Sequence, residues 1–249
     1  MLRNRLFLAA MFLLLIAFIL TAACATGGGD DDDDDDGGVW DDDDDAGDDD
    51  DDDDAMSVAD ARDESEGSVV TVEGVVISPL NWSGDLFFIQ DEDSKDDSSG
   101  IAVYMWDQIA DGYDGEIGDV VRVTGQIAVF YDLMEIVCEN EGGSVEVVGS
   151  GAEPDPTTID IDEVGDDYEG MLVEITDVDV IADPDEYGEF TVEDGNSDQL
   201  NVDDLFFEKD HWADEGIGSG DSYSSIVGVL NYDYGAWKIE PRSNSDLTE

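Results

Sequence analysis

The stretch GSVVTVEGVVIS (residues 67–78) has a counterpart 103 residues further on, GMLVEITDVDVI (residues 170–181). At the same offset DLFFIQDEDS (85–94) falls on GEFTVEDGNS (188–197), placing Phe87 on Phe190, Ile89 on Val192 and Asp91 on Asp194. GDVVRVTGQIAVFYDLMEI (118–136) falls on GDSYSSIVGVLNYDYGAWKI (220–239), placing Gly125 on Gly228, Tyr131 on Tyr234 and Ile136 on Ile239. A register slip of one residue separates Gly118/Gly220 from the later glycines. One unit occurs twice, and a repeat must be recognised before any fold is assigned.

Within each unit, short β-rich runs alternate with Gly, Asp, Asn and Ser, the pattern of an all-β chain. DQIADGYDGE and DHWADEG offer a helical turn or two. In the first strand Val70 and Val72 keep one phase, and Val75 and Ile77 take the other; Val173, Ile175, Val178 and Val180 repeat the switch. A β-bulge at Glu73-Gly74 and at Thr176-Asp177 would produce it and bend a long strand across two sheet faces. A long bent strand, a hairpin pair and a closing pair make a five-stranded Greek-key barrel, the OB-fold. The expected fold class is all-β: two tandem OB-like barrels, at residues 57–150 and 155–247.

VTVEGVV, LFFIQDED, GIAVYMW and GDVVRVTGQIAVFYDLMEI together resemble the OB-like domains that accompany secreted bacterial nucleases and related lipoproteins. The closing GVLNYDYGAWKIEPRSNSDL is similar to the second module of that group. The resemblance covers roughly residues 57–247 and implies tandem OB-like modules without the nuclease domain. It favours nucleic acid as a ligand, although OB barrels host many ligands.

The N-terminal segment decides location. Arg3 and Arg5 precede an apolar run (residues 6–20), and Thr21-Ala22-Ala23 leads into Cys24, the plan of a signal peptide at residues 1–23. Leu-Thr-Ala-Ala-Cys resembles a bacterial lipobox, with Thr21 where that pattern usually has Leu. Cys24 is the expected lipidation site, and the expected location is the cell envelope, at the outer membrane or cell surface. The alternative is an uncleaved membrane anchor over residues 6–24. Both place the remainder outside the cytoplasm.

Residues 24–56 form an Asp-rich tether. Three aspartate runs (30–36, 41–45 and 48–54) hold 19 of the chain's 69 acidic residues. Nothing there offsets the entropy of ordering, and like charges extend the chain. At ~3.3 Å per residue, residues 25–54 reach roughly 100 Å at full stretch. Fifty acids remain after residue 55, against Arg62, Lys95, Arg122, Lys209, Lys238 and Arg242. Such a surface disfavours a phosphate backbone.

No catalytic set emerges, and a non-enzyme is expected. His211 is the sole histidine and there is no cysteine pair for zinc,. Cys138 is expected to be a small buried hydrophobe. Asp91, Asp93 and Asp97 in one loop, with Asp183 and Asp185 in another, are candidates for calcium, which takes oxygen ligands. Solvated hairpin loops are the alternative, and no other cofactor is expected.

Alternation puts Phe87, Ile89, Ile101 and Val103 inside the first barrel and Phe88, Gln90, Tyr104 and Trp106 outside. Outward aromatics on the second and third strands are where OB domains stack bases or sugars. With Tyr234 and Trp237 from the second copy they form the candidate ligand face, for single-stranded nucleic acid or a glycan. Thr191 and Glu193 hold the positions matching Phe88 and Gln90. A contact between the barrels is the alternative use of Phe88, Tyr104 and Trp106, and docking of an extracellular protein partner is the alternative function.

Overall fold

The computed structural model describes residues 55–92, 98–139 and 141–249, all within one compact unit. Helix α1 (Val58–Arg62) precedes β1 (Val69–Val76), β2 (Leu86–Gln90), β3 (Gly100–Met105), helix α2 (Asp107–Ala110), β4 (Asp119–Phe130), β5 (Leu133–Cys138) and β6 (Ser144–Ser150). The pairing order is β1-β2-β3-β5-β4, and β4 pairs again with β1, which closes the barrel. β3 and β5 run parallel, as the Greek-key return requires, while β6 extends the sheet beyond β4.

The second unit repeats this plan. β7 (Thr157–Thr158), β8 (Leu172–Ala182), β9 (Phe190–Glu193), β10 (Gln199–Val202), helix α3 (His211–Glu215), β11 (Ser222–Asp233), β12 (Ala236–Glu240) and β13 (Leu247–Thr248) follow in order. The order β8-β9-β10-β12-β11 closes through β11–β8, and β10 lies parallel to β12. The fold is therefore all-β, with two tandem closed five-stranded barrels of OB type. α2 and α3 occupy the same place in each, between the third and fourth strands.

Each barrel owns a core. Val70, Val72, Val76, Phe87, Ile89, Ile101, Val103 and Ile136 fill the first. Val173, Ile175, Val178, Phe190, Val192, Val202, Trp212 and Ile239 fill the second. Cys138 is buried in the first core, and burial pushes its thiol up to about 12; it is the inert hydrophobe expected of it.

The expected parity switches fare differently. β1 pairs with β4 in unbroken register from Val69 to Val75, so no bulge interrupts Glu73-Gly74. Val70, Val72 and Val76 all enter the barrel; Ile77 is buried outside it, against the second barrel. In β8 the phase does change, with Ile175 and Val178 both inside. Asp177 adopts φ 53, and its rung with β11 is missing while the register on either side is kept. Tyr223 and Ile226 of β11 change phase with it. The slip is paired, with no extra residue on one strand.

A third apolar cluster joins the barrels. Ile77, Phe88, Ala102 and Leu133 on the outside of the first barrel meet Leu172 and Val229 of the second, with Leu86, Leu205, Phe206 and Val227 packed against them. Polar contacts fix the geometry. Leu172 N–H donates to Gln90 Oε1 at 2.9 Å, Trp82 N–H to the Leu205 carbonyl at 3.1 Å, and Arg62 pairs with Glu169 at 3.2 Å. Arg242 reaches back to the Ile77 carbonyl at 3.1 Å.

The two backbones meet at Gly100 and Gly170: a Cβ on Gly100 would lie 2.3 Å from the Gly170 carbonyl oxygen. Gly100→Ala must push two chains apart and is expected to cost about 2–3 kcal/mol. A chemical denaturation midpoint identical to wild type would show that the close approach does not exist.

Candidate functional site

The outer face of β2, β3 and β5 in the first barrel is not free. Phe88 and Gln90 are fully buried, Phe88 edge-on to Phe206 at 6.3 Å. Both were expected to meet ligand; they meet the second barrel, because their neighbours on that face, Ala102 and Leu133, are apolar too and exclude water together. Tyr104 is half-buried at the margin, its phenol pKa raised by burial and then by Asp85, Glu135 and Asp107. Trp106 is 41% exposed at the start of α2, where its N–H donates to the Cys138 carbonyl.

The equivalent face of the second barrel carries a polar carpet. Residues on and beside β9, β10 and β12 hydrogen-bond to one another in two groups. Gln199 Nε2 donates to Glu193 at 2.8 Å, Thr191 Oγ1 to Asn201 Oδ1 at 3.0 Å, and Asn201 Nδ2 to Glu189 at 3.1 Å. Lys238, almost fully buried, ends the second group with Glu189 at 2.6 Å and Asp203 at 2.9 Å. Burial alone would lower the Lys238 pKa, but the bonds and charges of Glu189 and Asp203 outweigh it and raise it. That ammonium is spoken for.

A cleft of about 460 Å³ opens beside this carpet, lined by Ile161, Val164, Thr191, Gln199, Leu200, Asn201, Ala236 and Trp237. Trp237 is half-buried and stands at 63° to Tyr232, centroids 4.9 Å apart. One indole, two amides and a hydroxyl therefore face one space. Of these, only Trp237 was singled out by sequence. Thr191 was legible in principle, since it falls at the position of Phe88. Gln199 and Asn201 were not, because β10 does not follow the 103-residue offset: β3 runs parallel to β5 through Val103↔Ile136, and β10 to β12 through Val202↔Ile239.

The cations are committed elsewhere as well. Arg62 holds Glu169, Arg122 holds Glu73 at 2.6 Å, and Arg242 holds Glu153 and Asp246. Among the described residues Lys209 is the one base without an ion pair. No described surface is built to neutralise phosphate.

The loop carboxylates do structural work. Asp91 accepts from Val58 and Ala59 N–H at 2.7 and 3.0 Å, holding the first turn of α1. Asp183 accepts from Ser219 N–H at 2.7 Å, and Asp185 from Tyr187 and Glu189 N–H at 2.8 and 3.2 Å. Among the described residues no three His, Cys, Asp or Glu side chains converge as metal ligands. Asp93, Asp97, the lipidation candidate Cys24 and the aspartate tether up to residue 54 lie outside the described residues, while Met56 at its end bridges Val72 of β1. His211 stacks on Phe207 at 4.0 Å, with Nε2 2.6 Å from Asn244 Oδ1.

Tyr234 is 84% exposed. It lies at the tip of the β11–β12 hairpin, stacked at 6.1 Å on Tyr131 from the β4–β5 hairpin of the first barrel.

Residues 128–249 match a family described as "Domain of unknown function (DUF8508)"; the match spans the end of β4, β5, β6 and the whole second barrel. No functionally curated protein matches. Solved structures to which this chain is similar include a murine DNA-binding protein bound with double-stranded DNA, at 14% identity over 69% of this chain and 95% of that one, TM-score 0.35. The p204 HINb domain is 10% identical over 70% and 93%, TM-score 0.35. The Ifi202 HINa domain in complex with 20-bp double-stranded DNA is 14% identical over 70% and 92%, TM-score 0.34.

Proposed function

We propose that this chain is a non-catalytic binding module, tethered to the bacterial cell surface through Cys24 and the aspartate stalk, that takes a neutral glycan at the second barrel. One observation carries the reading: Trp237 shares a cleft with Thr191, Gln199 and Asn201 while every cation nearby is already paired. An indole offers an apolar face to a sugar ring, and amides, hydroxyls and carboxylates exchange hydrogen bonds with its hydroxyls. Nucleic acid asks for the opposite: stacking combined with a positive groove. The likeness to OB-like modules of bacterial nucleases is a matter of scaffold in this reading, because OB barrels serve many ligands.

Titration of the full-length chain in mild detergent with neutral oligosaccharides, followed by tryptophan fluorescence, tests the reading. At least one oligosaccharide is expected to bind, and Asn201→Ala and Trp237→Ala each to weaken it about tenfold, the loss of roughly 1.4 kcal/mol. A single-stranded DNA that binds at 150 mM salt while every sugar stays silent would overturn it.

A further inference from the structure

The two β-hairpins that close the barrels end in the same turn. Tyr131-Asp132 (φ 50 and 72) and Tyr234-Gly235 (φ 50 and 85) both adopt the left-handed conformation that two-residue hairpin loops need. Tyr131 and Tyr234 are 61% and 84% exposed, and they stack on each other with rings at 25°. Phe130 and Val129 are exposed beside them. Two copies of one unit thus bring their tips together as a single aromatic surface. Neither core requires it.

Beneath the tips lies a cleft of about 570 Å³ lined by Arg62, Val129, Asp132, Met134, Asp166, Glu169, Tyr232 and Trp237. Its charge is unbalanced, with Asp132, Asp166 and Glu169 against Arg62. Arg62 is itself saturated, donating to Glu169 and to the carbonyls of Gly100, Asp166 and Glu169. The Tyr234 ring lies within cation–π distance of an internal cation, with Lys238 Nζ 5.8 Å from its centroid. Aromatic faces over carboxylates form the chemistry that recognises ammonium and guanidinium groups.

We propose that this hairpin cleft docks a lysine- or arginine-bearing segment of a protein partner. The charge of the cleft selects the cationic head groups. The exposed Phe130 and Val129 match the apolar stems and neighbouring residues of a peptide, a surface that a small free amine would leave uncovered. The cleft shares Trp237 with the glycan face but takes another class of ligand, and the variants that test it leave Trp237, Thr191, Gln199 and Asn201 intact.

The test uses the full-length chain in mild detergent and a fluorescein-labelled octa-arginine peptide, read by anisotropy at 150 mM salt, with spermine as competitor. Tyr131→Ala combined with Tyr234→Ala leaves net charge unchanged and removes only exposed rings. It is expected to weaken the peptide about tenfold with an unchanged unfolding midpoint. Asp132→Asn with Asp166→Asn is expected to weaken it as well, and spermine to compete poorly. Equal binding by the double tyrosine variant would reduce the affinity to unspecific attraction by an acidic protein and overturn the proposal. So would spermine binding as tightly as the peptide, or no peptide binding at all.

Discussion

Phe88→Ala is expected to destabilise the protein by about 3–5 kcal/mol, the range for truncating a buried phenylalanine. In a domain of this size that lowers the thermal midpoint by roughly 10 °C or more. The reason lies in where the ring sits. It is fully buried, yet it points out of its own barrel into the cluster shared with Leu172, Val229 and Phe206. Truncation leaves a cavity between two rigid barrels, each held by its own closed sheet, so neither collapses easily into the gap. The same variant is expected to leave glycan affinity unchanged at temperatures where it remains folded. Calorimetry paired with a sugar titration separates the two roles. A stable Phe88→Ala protein with lost ligand affinity would return Phe88 to a binding face and undo the interface described for it.

Phe88 also shows what could be learned from sequence and what could not. Alternation correctly sent Phe87 and Ile89 inward and Phe88 and Gln90 outward, because a strand's period of two fixes which side of a sheet each residue takes. It is silent on what covers the outer side. The missing signal was chemical and present in both copies: Leu86, Phe88 and Ala102 are apolar where the second copy has polar Glu189, Thr191 and Asn201. One face needed a partner and the other did not. The repeat offset located four of the five strand pairs. It failed at β3 and β10 because the loop after β2, from Gln90 to Gly100, is longer than that from Glu193 to Gln199. α1 leaves no trace in the sequence pattern: five residues are too few to display a helical period, and its first turn is held by Asp91, distant in sequence.

Stability is expected to rise as pH falls from 8 to 5, opposite to the behaviour of most proteins, whose buried carboxylates are ion-paired. Burial, then repulsion from Asp85, pushes Glu135 up to about 7. The folded state therefore keeps its proton over a window, from about 4.5 to about 7, in which the unfolded chain has released it. A group with a raised carboxyl pKa stabilises the fold below its unfolded value, and that contribution is lost as pH climbs through the window. For Glu135 the loss is about 3 kcal/mol at pH 8. Glu240 carries the same sign. It is fully buried, with its pKa raised by burial and by Asp203 against the opposing pull of Asn231, Lys238 and the Leu205 N–H. Its Oε2 and the adjacent Asn231 Oδ1 are both buried with no hydrogen-bond partner among the described residues, while Asn231 Nδ2 donates to Oε1 at 3.1 Å. A proton on Oε2 supplies the donor that this pair of acceptors lacks. Glutamine imitates a protonated glutamate in shape and in donating capacity. Glu135→Gln should thus stabilise by about 3 kcal/mol at pH 8 and by less than about 1 kcal/mol at pH 5, and Glu240→Gln should follow the same direction. Urea midpoints measured across that range decide it. A wild type that weakens on acidification, with glutamine variants that track it in parallel, would mean that these carboxylates are ionised inside the fold.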